Sequence, residues 1–407
     1  MLKVSLSAPV FDKREKNSAI NAIKNLRLSQ GINVKKFKKI FSNFVGTKYG
    51  VATNSGSSAN LITLEALKEF YNLKNGDEVI LPAATFATVP MPVIQIGLKP
   101  VFVDVNLEDM NISVNEIKKA ISKKTRIVMI VHTLGYPANM KEIKKLCKKN
   151  NLILFEDCCE AHGASFKKKI VGSFGEISAF SFFVAHNITT GEGGMVLTNN
   201  KKLDEILRSL REFGRIQMKS NNLNKRFFSK KRLKNYDKKY VFERPGYNLR
   251  MTDIVACFGV EQTKKLRQFN FIRNKNANYL IKKIKLNKLD NFLSYYKTKK
   301  GEYHSYYTFP LRLKKKNIRL KLVKFLEKKG IETRPMMGGC LPDQPAFQKS
   351  KMKIVGKLKN SRDIRDNVFF VGVHPLLKKK HFDHVINSLK IFFHKEIKGF
   401  KSSNLAT

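Results

Sequence analysis

Short apolar runs recur through the first two thirds of the chain, reading YGVAT, DEVILPA, KPVFVDV, TRIVMIVHT, LILFEDC, EISAFSFF and GGMVLT. Between several of them lie segments such as ANLITLEALKEFYN and NMKEIKKLCKKN, whose apolar residues fall three and four apart, the spacing of one helix face. Strands that are apolar on both faces need cover on both sides, so this alternation predicts an α/β fold with a largely parallel sheet wrapped by helices. From about Phe269 the pattern changes to long Lys-rich helices, a strand-like YYTFPLRL, then KLVKFLEKKG and HFDHVINSLKIFF. The change predicts a large domain over residues 1–268, a smaller C-terminal α+β domain over 269–400, and a frayed tail at 401–407.

A chain of 407 residues can bury a substantial core. No apolar run approaches the roughly 18–20 residues that span a bilayer, and MLKVSLSAPVFDKREK contains no signal-peptide core, so a soluble, cytoplasmic enzyme with no membrane span is expected. The cysteines Cys147, Cys158, Cys159, Cys257 and Cys340 are odd in number and show no paired metal-type spacing, which argues against a disulfide framework and a structural metal. The formal charge of +47 invites a nucleic-acid reading, but the lysines are spread along the whole chain and no nucleic-acid-binding motif accompanies them. No nucleic-acid partner is expected; a field of this sign suits a small anionic substrate. The strongly basic stretch 214–244, GRIQMKSNNLNKRFFSKKRLKNYDKKYVFER, is poorly periodic and reads as a long loop, either a solvated excursion or a flap that brings charge to a diphosphate.

Three segments carry candidate chemistry. In 49-YGVATNSGSSANLITLEAL-67 a strand ends in small residues and a helix begins, so Gly56, Ser57 and Ser58 leave backbone N–H groups free at a helix N-terminus. That is an anion cradle, although Ser and Asn also cap helices with no ligand present. In 152-LILFEDCCEAHGA-164 an apolar run ends with Glu156 and Asp157, and the C-terminal end of a buried parallel strand is where α/β proteins bind ligands. A protonated heterocyclic nitrogen would offset the cost of ionising Asp157 there; capping the next helix is the plainer reading. Phe86, beyond the strand of 80-ILPAATFATVPMPV-93, is placed to stack on a ring or to fill core.

These pieces, in this order, resemble the DegT/DnrJ/StrS-type sugar aminotransferases, which have the aspartate-aminotransferase fold and use pyridoxal phosphate. The similarity runs from NLRLSQGINVKKFKKIFSNFVGTKYGVATNSGSSAN through VHTLGYPANM, FEDCCEAHGA and FSFFVAHNITTGEGGM to ERPGYNLRMTDIVACFGVEQTKKL and GIETRPMM. The resemblance implies that Gly56, Ser57 and Ser181 hold the cofactor phosphate, that Phe86 stacks on the ring, and that Asp157 pairs with the ring nitrogen. It further implies that Asn248 reaches the phosphate of a neighbouring subunit, making a homodimer with a shared active site. Glu160, close behind Asp157, is placed to contact the cofactor ring oxygen or Asp157 itself. Arg334, in IETRP, and Arg250, beside Asn248, are candidate contacts to the substrate.

In the family pattern S-F-x-x-x-K-N-x-T-T-G-E-G-G the lysine holds the cofactor covalently. Here Ser181 and Phe182 are followed in the same frame by His186 and Asn187. A lysine at this point both binds the cofactor and moves a proton; an imidazole, with a reference pKa of about 6.5, can only do the second. A cofactor held without a covalent bond can rest as pyridoxamine phosphate, condense with a 4-keto-6-deoxy sugar and expel the hydroxyl at carbon three. The resemblance therefore narrows to nucleotide-sugar 3-dehydratases, in which histidine replaces the lysine and the substrate is a nucleotide-diphosphate sugar feeding surface polysaccharide such as lipopolysaccharide O-antigen. One branch draws its amine from glutamate, and another carries an iron–sulfur cluster on a cysteine-rich insertion. The stretch 214–244 contains no cysteine, whereas a cluster needs about four thiolates, so glutamate as amine donor and no cluster are expected. An ordinary sugar aminotransferase and a non-catalytic cofactor-binding or polyanion-binding derivative are the alternatives.

Overall fold

The computed structural model describes residues 2–216 and 236–403. Its strands, in chain order, are β1 (Tyr49–Thr53), β2 (Glu78–Pro82), β3 (Lys99–Val103), β4 (Thr125–Val131), β5 (Ile153–Asp157), β6 (Ser165–Phe166), β7 (Lys169–Ile170), β8 (Ile177–Ser181) and β9 (Gly194–Thr198). Further on come β10 (Leu293–Ser294), β11 (Glu302–Tyr303), β12 (Phe309–Leu313), β13 (Arg334–Pro335), β14 (Lys353–Ile354) and β15 (Val368–Val371). Eight of them form one sheet in the order β1-β9-β8-β5-β4-β2-β3-β14. Only β9 runs against its neighbours, so the sheet is mixed but mostly parallel. Strands β2, β8 and β9 are buried at every residue, because helices cover both faces. One face packs Val51, Leu81, Met129, Phe155 and Val196 under the helix Gly56–Phe70; the other packs Ile80, Val101, Val128 and Ile130.

A second sheet, β10-β12-β15-β13, is antiparallel and packs on the helices Arg319–Lys328 and Lys379–Ser403. The two sheets are joined across the change of pattern at residues 268 and 269. The 34-residue helix Asp253–Leu286 crosses that position unbroken, contributing Ala256 and Leu266 to the core of the large unit and Ala277, Leu280 and Ile284 to that of the small one. Val4 pairs with Ile331 and joins the small core, so the N-terminal strand-like segment belongs with the C-terminal sheet. In the other direction, β14 docks beside β3 at the edge of the large sheet.

Of the basic stretch 214–244, residues 217–235 lie outside the described residues. Its two ends close on each other, Ile216 N–H donating to the Val241 carbonyl at 3.0 Å and Glu243 N–H to that of Gly214 at 2.8 Å. Residues 404–407 of the expected tail also lie outside, and the final helix continues through Ser403.

Candidate active site

Because β1, β2, β4, β5 and β8 point the same way, the segments leaving them converge at one edge of the sheet. A cavity of about 380 Å³ opens there. It is lined by Ser55, Gly56 and Ser57 after β1, Thr85, Phe86 and Thr88 after β2, Thr133 after β4, and Asp157, Cys159 and Glu160 at the end of β5. Ser181, Phe183 and His186 follow from β8, and Tyr307, Met336 and Met337 close the far side. Of the residues singled out in the sequence, Gly56, Ser57, Phe86, Asp157, Glu160, Ser181 and His186 meet on this one cavity.

The cradle is built by close approach. The Ser55 hydroxyl accepts the Ser58 N–H at 3.1 Å and so caps the helix Gly56–Phe70, turning its first residues toward the cavity. A Cβ on Gly56 would sit 2.5 Å from Ser181 Cβ, so only glycine lets the helix start come this near β8. The Ser181 hydroxyl stands directly opposite, accepting the Phe183 N–H at 3.3 Å.

Strand pleating sends the two carboxylates of β5 to opposite faces. Glu156 turns inward, accepting N–H groups from Gly172, Phe174 and Gly175 at 2.6–2.9 Å and a bond from His132 Nε2 at 3.0 Å. Burial works to raise its pKa, but His132 and these amides prevail and hold it below the usual carboxylate value. Ala138 N–H donates to His132 Nδ1, which leaves Nε2 as the protonated nitrogen facing Glu156. Glu156 and His132 therefore brace the strand end. Asp157 faces the cavity, 3 % exposed, with Asn60 Nδ2 on Oδ2 at 2.8 Å and Cys159 N–H on Oδ1 at 3.0 Å. Among the described residues no lysine, arginine or histidine forms an ion pair with it. A buried carboxylate of this kind leaves room for a cation from a bound ligand.

Glu160 is buried, and its Oε2 accepts the Leu134 N–H at 2.7 Å. Burial, opposed by that N–H and reinforced by Asp157, pushes its carboxyl up to about 8. The Cys159 thiol is driven well above its ordinary value by burial and then by the charge of Asp157, so it stays protonated. Phe86, by contrast, leaves 53 % of its surface open, an aromatic face with no protein neighbour to cover it.

His186 sits in a tight turn, its N–H donating to the Phe183 carbonyl at 3.0 Å. Its ring lies among those of Tyr307, His162 and Phe183, with centroids 5.2, 5.8 and 6.2 Å away. Burial and then the charge of Arg273 push the imidazole down to about 3, so it is neutral across the physiological range. Among the described residues that line the cavity there is no lysine and no arginine. Asn187 turns away from it, donating to Asn270 Oδ1 at 3.0 Å and to the Ser305 carbonyl at 2.8 Å.

Three expected site residues lie off the cavity in a single chain. Asn248 Oδ1 accepts from Arg250 Nε at 3.2 Å, and Arg250 pairs with Glu212 at 3.6 Å and covers the ring of Phe213. Arg334, in β13, is exposed and bonded to Glu332 at 2.7 Å. Conversely, Tyr307 and Asn60 had no signal of their own, the first lying inside an apolar strand-like run and the second inside a helical repeat.

A family model described as the DegT/DnrJ/EryC1/StrS aminotransferase family matches residues 9–390. The chain is 37% identical over 399 residues to lipopolysaccharide biosynthesis protein RfbH of Salmonella typhimurium, covering 95% of this chain and 91% of that protein. It is 32% identical to GDP-4-keto-6-deoxy-D-mannose 3-dehydratase of Escherichia coli O55:H7, covering 96% and 100%. Two crystal structures of GDP-4-keto-6-deoxymannose-3-dehydratase superpose with a TM-score of 0.87, each at 30% identity over 95% of this chain and all of the other. One is a histidine-to-asparagine variant with bound GDP-perosamine, and the other holds a trapped PLP-glutamate geminal diamine.

Proposed function

Because the chain belongs to the DegT/DnrJ/EryC1/StrS aminotransferase family, we propose that it removes the 3-hydroxyl of a nucleotide-linked 4-keto-6-deoxyhexose with pyridoxal/pyridoxamine phosphate, using glutamate as amine donor. One observation carries this reading: His186 occupies the cavity where the family holds a lysine, and no lysine among the described residues lines that cavity. Without a primary amine the site cannot tether the cofactor or use the lysine route of nitrogen transfer.

The residues present fit the cofactor. Gly56 and Ser57 at the helix start, with the Ser181 hydroxyl, offer donors to its phosphate. The open face of Phe86 offers a stacking surface, and the cation-free Asp157 offers a partner for a protonated ring nitrogen. Glu160, mostly protonated below about pH 8, can donate a hydrogen bond to the ring oxygen. When bound, the cofactor supplies an amine that condenses with a ketone and a conjugated ring that accepts an electron pair. His186, neutral and placed on the cavity, takes up and returns the proton this chemistry displaces. The Asp157 carboxylate keeps the ring nitrogen charged, and the apolar walls of Phe86, Met336 and Met337 exclude water.

In the balanced reaction the sugar loses one oxygen, and glutamate becomes 2-oxoglutarate and ammonia. The similarity to a lipopolysaccharide biosynthesis protein supports a product destined for surface polysaccharide. We place the enzyme in the cytoplasm as a homodimer in which Asn248, and with it Arg250, reaches the neighbouring copy's cofactor and substrate phosphates, while Arg334 contacts the substrate. The absence of lysine and arginine from the described lining supports the shared site, and five unpaired cysteines support the cytoplasmic placement. No helix among the described residues is long and apolar enough to cross a membrane. The test is incubation of the protein with pyridoxal phosphate, glutamate and a GDP-, CDP- or dTDP-linked 4-keto-6-deoxyhexose. Mass spectrometry should show a product lighter by one oxygen, and an amino sugar with its 3-hydroxyl intact would overturn the assignment.

A further inference from the structure

Arg273, inside the long helix Asp253–Leu286, heads the large side chains that are fully buried, at 2 % exposure. Taking a guanidinium out of water is costly unless a carboxylate offsets it, and among the described residues none pairs with Arg273. Burial lowers it only to about 10, so it keeps its charge. Its Nε has no hydrogen-bond partner, while Nη1 donates to the carbonyls of Tyr306 and Tyr307 at 3.1 and 2.9 Å.

Those two contacts complete a run. Asn274 Nδ2 donates to the His304 carbonyl at 2.8 Å and Asn187 Nδ2 to that of Ser305 at 2.8 Å, so four consecutive carbonyls are held by side chains. The segment needs holding, because Tyr306 adopts φ +46°, a conformation that side chains other than glycine's disfavour. Its product is the placement of the Tyr307 ring against His186, with centroids 5.2 Å apart.

The other titratable groups around His186 do not substitute for this charge. The His162 ring, behind it at 5.8 Å, is fully buried with neither nitrogen partnered, and burial keeps it neutral. Asp157, Glu160 and Glu192 line the cavity, and none of them forms an ion pair with the imidazole. Tyr307 is held as a phenol by burial and by Glu160.

We propose that Arg273 is a positioning residue for His186: a buried, unpaired cation that pins the carbonyls of Tyr306 and Tyr307 and so sets the Tyr307 ring against the imidazole. The same charge disfavours a proton on that ring. The inference rests on His186 being the proton-moving group, and its test is independent of the sugar product.

In cofactor-free protein, the labelled imidazole of His186 is followed by NMR through a pH titration. The wild-type ring should remain neutral from pH 8 down to pH 5, consistent with a value pushed to about 3. Arg273→Met and Arg273→Gln should raise its midpoint by about one pH unit or more, whereas Arg273→Lys, which keeps the charge, should leave it low. In turnover with glutamate, Arg273→Lys should lower kcat about tenfold with KM within about twofold, since the charge stays and the fixed two-carbonyl contact is lost. An unmoved midpoint in a folded Met or Gln variant overturns the proposal. Should neither neutral variant fold, a wild-type ring already protonated at pH 6 overturns it equally. A normal titration shift in a protein that makes no deoxysugar would sink the functional assignment and leave this inference standing.

Discussion

Asn60, on the first turns of the helix Gly56–Phe70, donates its Nδ2 to Asp157 Oδ2 at 2.8 Å, joining that helix start to the end of β5 across 97 residues of sequence. The bond orients a carboxylate whose remaining capacity faces the cavity. Asp157→Asn keeps an oxygen for Asn60 but removes the charge that a protonated ring nitrogen needs. Losing a hydrogen bond to a charged partner is worth about 1.5–3 kcal/mol, so cofactor affinity should fall between roughly tenfold and a hundredfold. Titration of pyridoxal phosphate by its absorbance checks this, and unchanged affinity would remove Asp157 from the cofactor site.

Gly56→Ala tests the close approach. The new methyl would stand 2.5 Å from Ser181 Cβ and 3.0 Å from its Oγ, within a strand buried at every position. Overpacking of this kind costs about 1–3 kcal/mol, and the helix start must move away from the cavity to relieve it. A lower melting temperature together with cofactor affinity reduced at least about tenfold is expected, by calorimetry and by fluorescence.

His186→Lys restores the primary amine. Pyridoxal phosphate should then become covalently attached, and borohydride reduction should fix its mass on the protein, which it should not do in the wild type. Deoxygenation should fall by about 10²–10⁴, the usual contribution of a placed acid–base group. A wild-type protein that gains the cofactor's mass after reduction would show that some other amine serves the site.

Glu160→Gln should change stability in a pH-dependent way. The folded carboxyl is raised to about 8 from its ordinary 4.5, so between these values the folded state holds a proton that the unfolded state has lost. Burying Glu160 therefore costs little below about pH 4.5, and the cost grows until it is complete above about pH 8. The neutral amide can still accept the Leu134 N–H. Melting of the cofactor-free variant should exceed that of the wild type by about 2 °C or more at pH 8.5 and match it near pH 4.5. His186 acts in the opposite sense in both proteins, because its lowered value costs stability as pH falls from 6.5 toward 3, and so it cancels in the comparison. A melting difference independent of pH would show that Glu160 is not held protonated.

The parts of the site that could be read in the sequence share one property. Gly56, Ser57, Phe86, Asp157, Ser181 and His186 each lie within a few residues of a strand end, and parallel strands bring such ends to one edge regardless of side-chain detail. Tyr307 and Arg273 could not be read this way. Their roles depend on contacts between residues tens of positions apart, including a carbonyl held by a guanidinium from another element, and no local spacing encodes that. The long helix running across residues 268 and 269 could not be read for a related reason. A helix of 34 residues changes the core it serves without changing its period, and β14 is two residues long, too short to show any alternation. Asn248, Arg250 and Arg334 stand apart from the cavity in one chain, and the reach we propose for Asn248 and Arg250 is to a neighbouring copy.

A cavity whose described lining offers no lysine has a physiological consequence. Vitamin B6 enters it as a guest, retained by reversible contacts alone. The site's loading follows the free vitamin pool by mass action without the added free energy of an imine, so at equal remaining contacts it empties at a higher vitamin concentration than a lysine-bearing relative would.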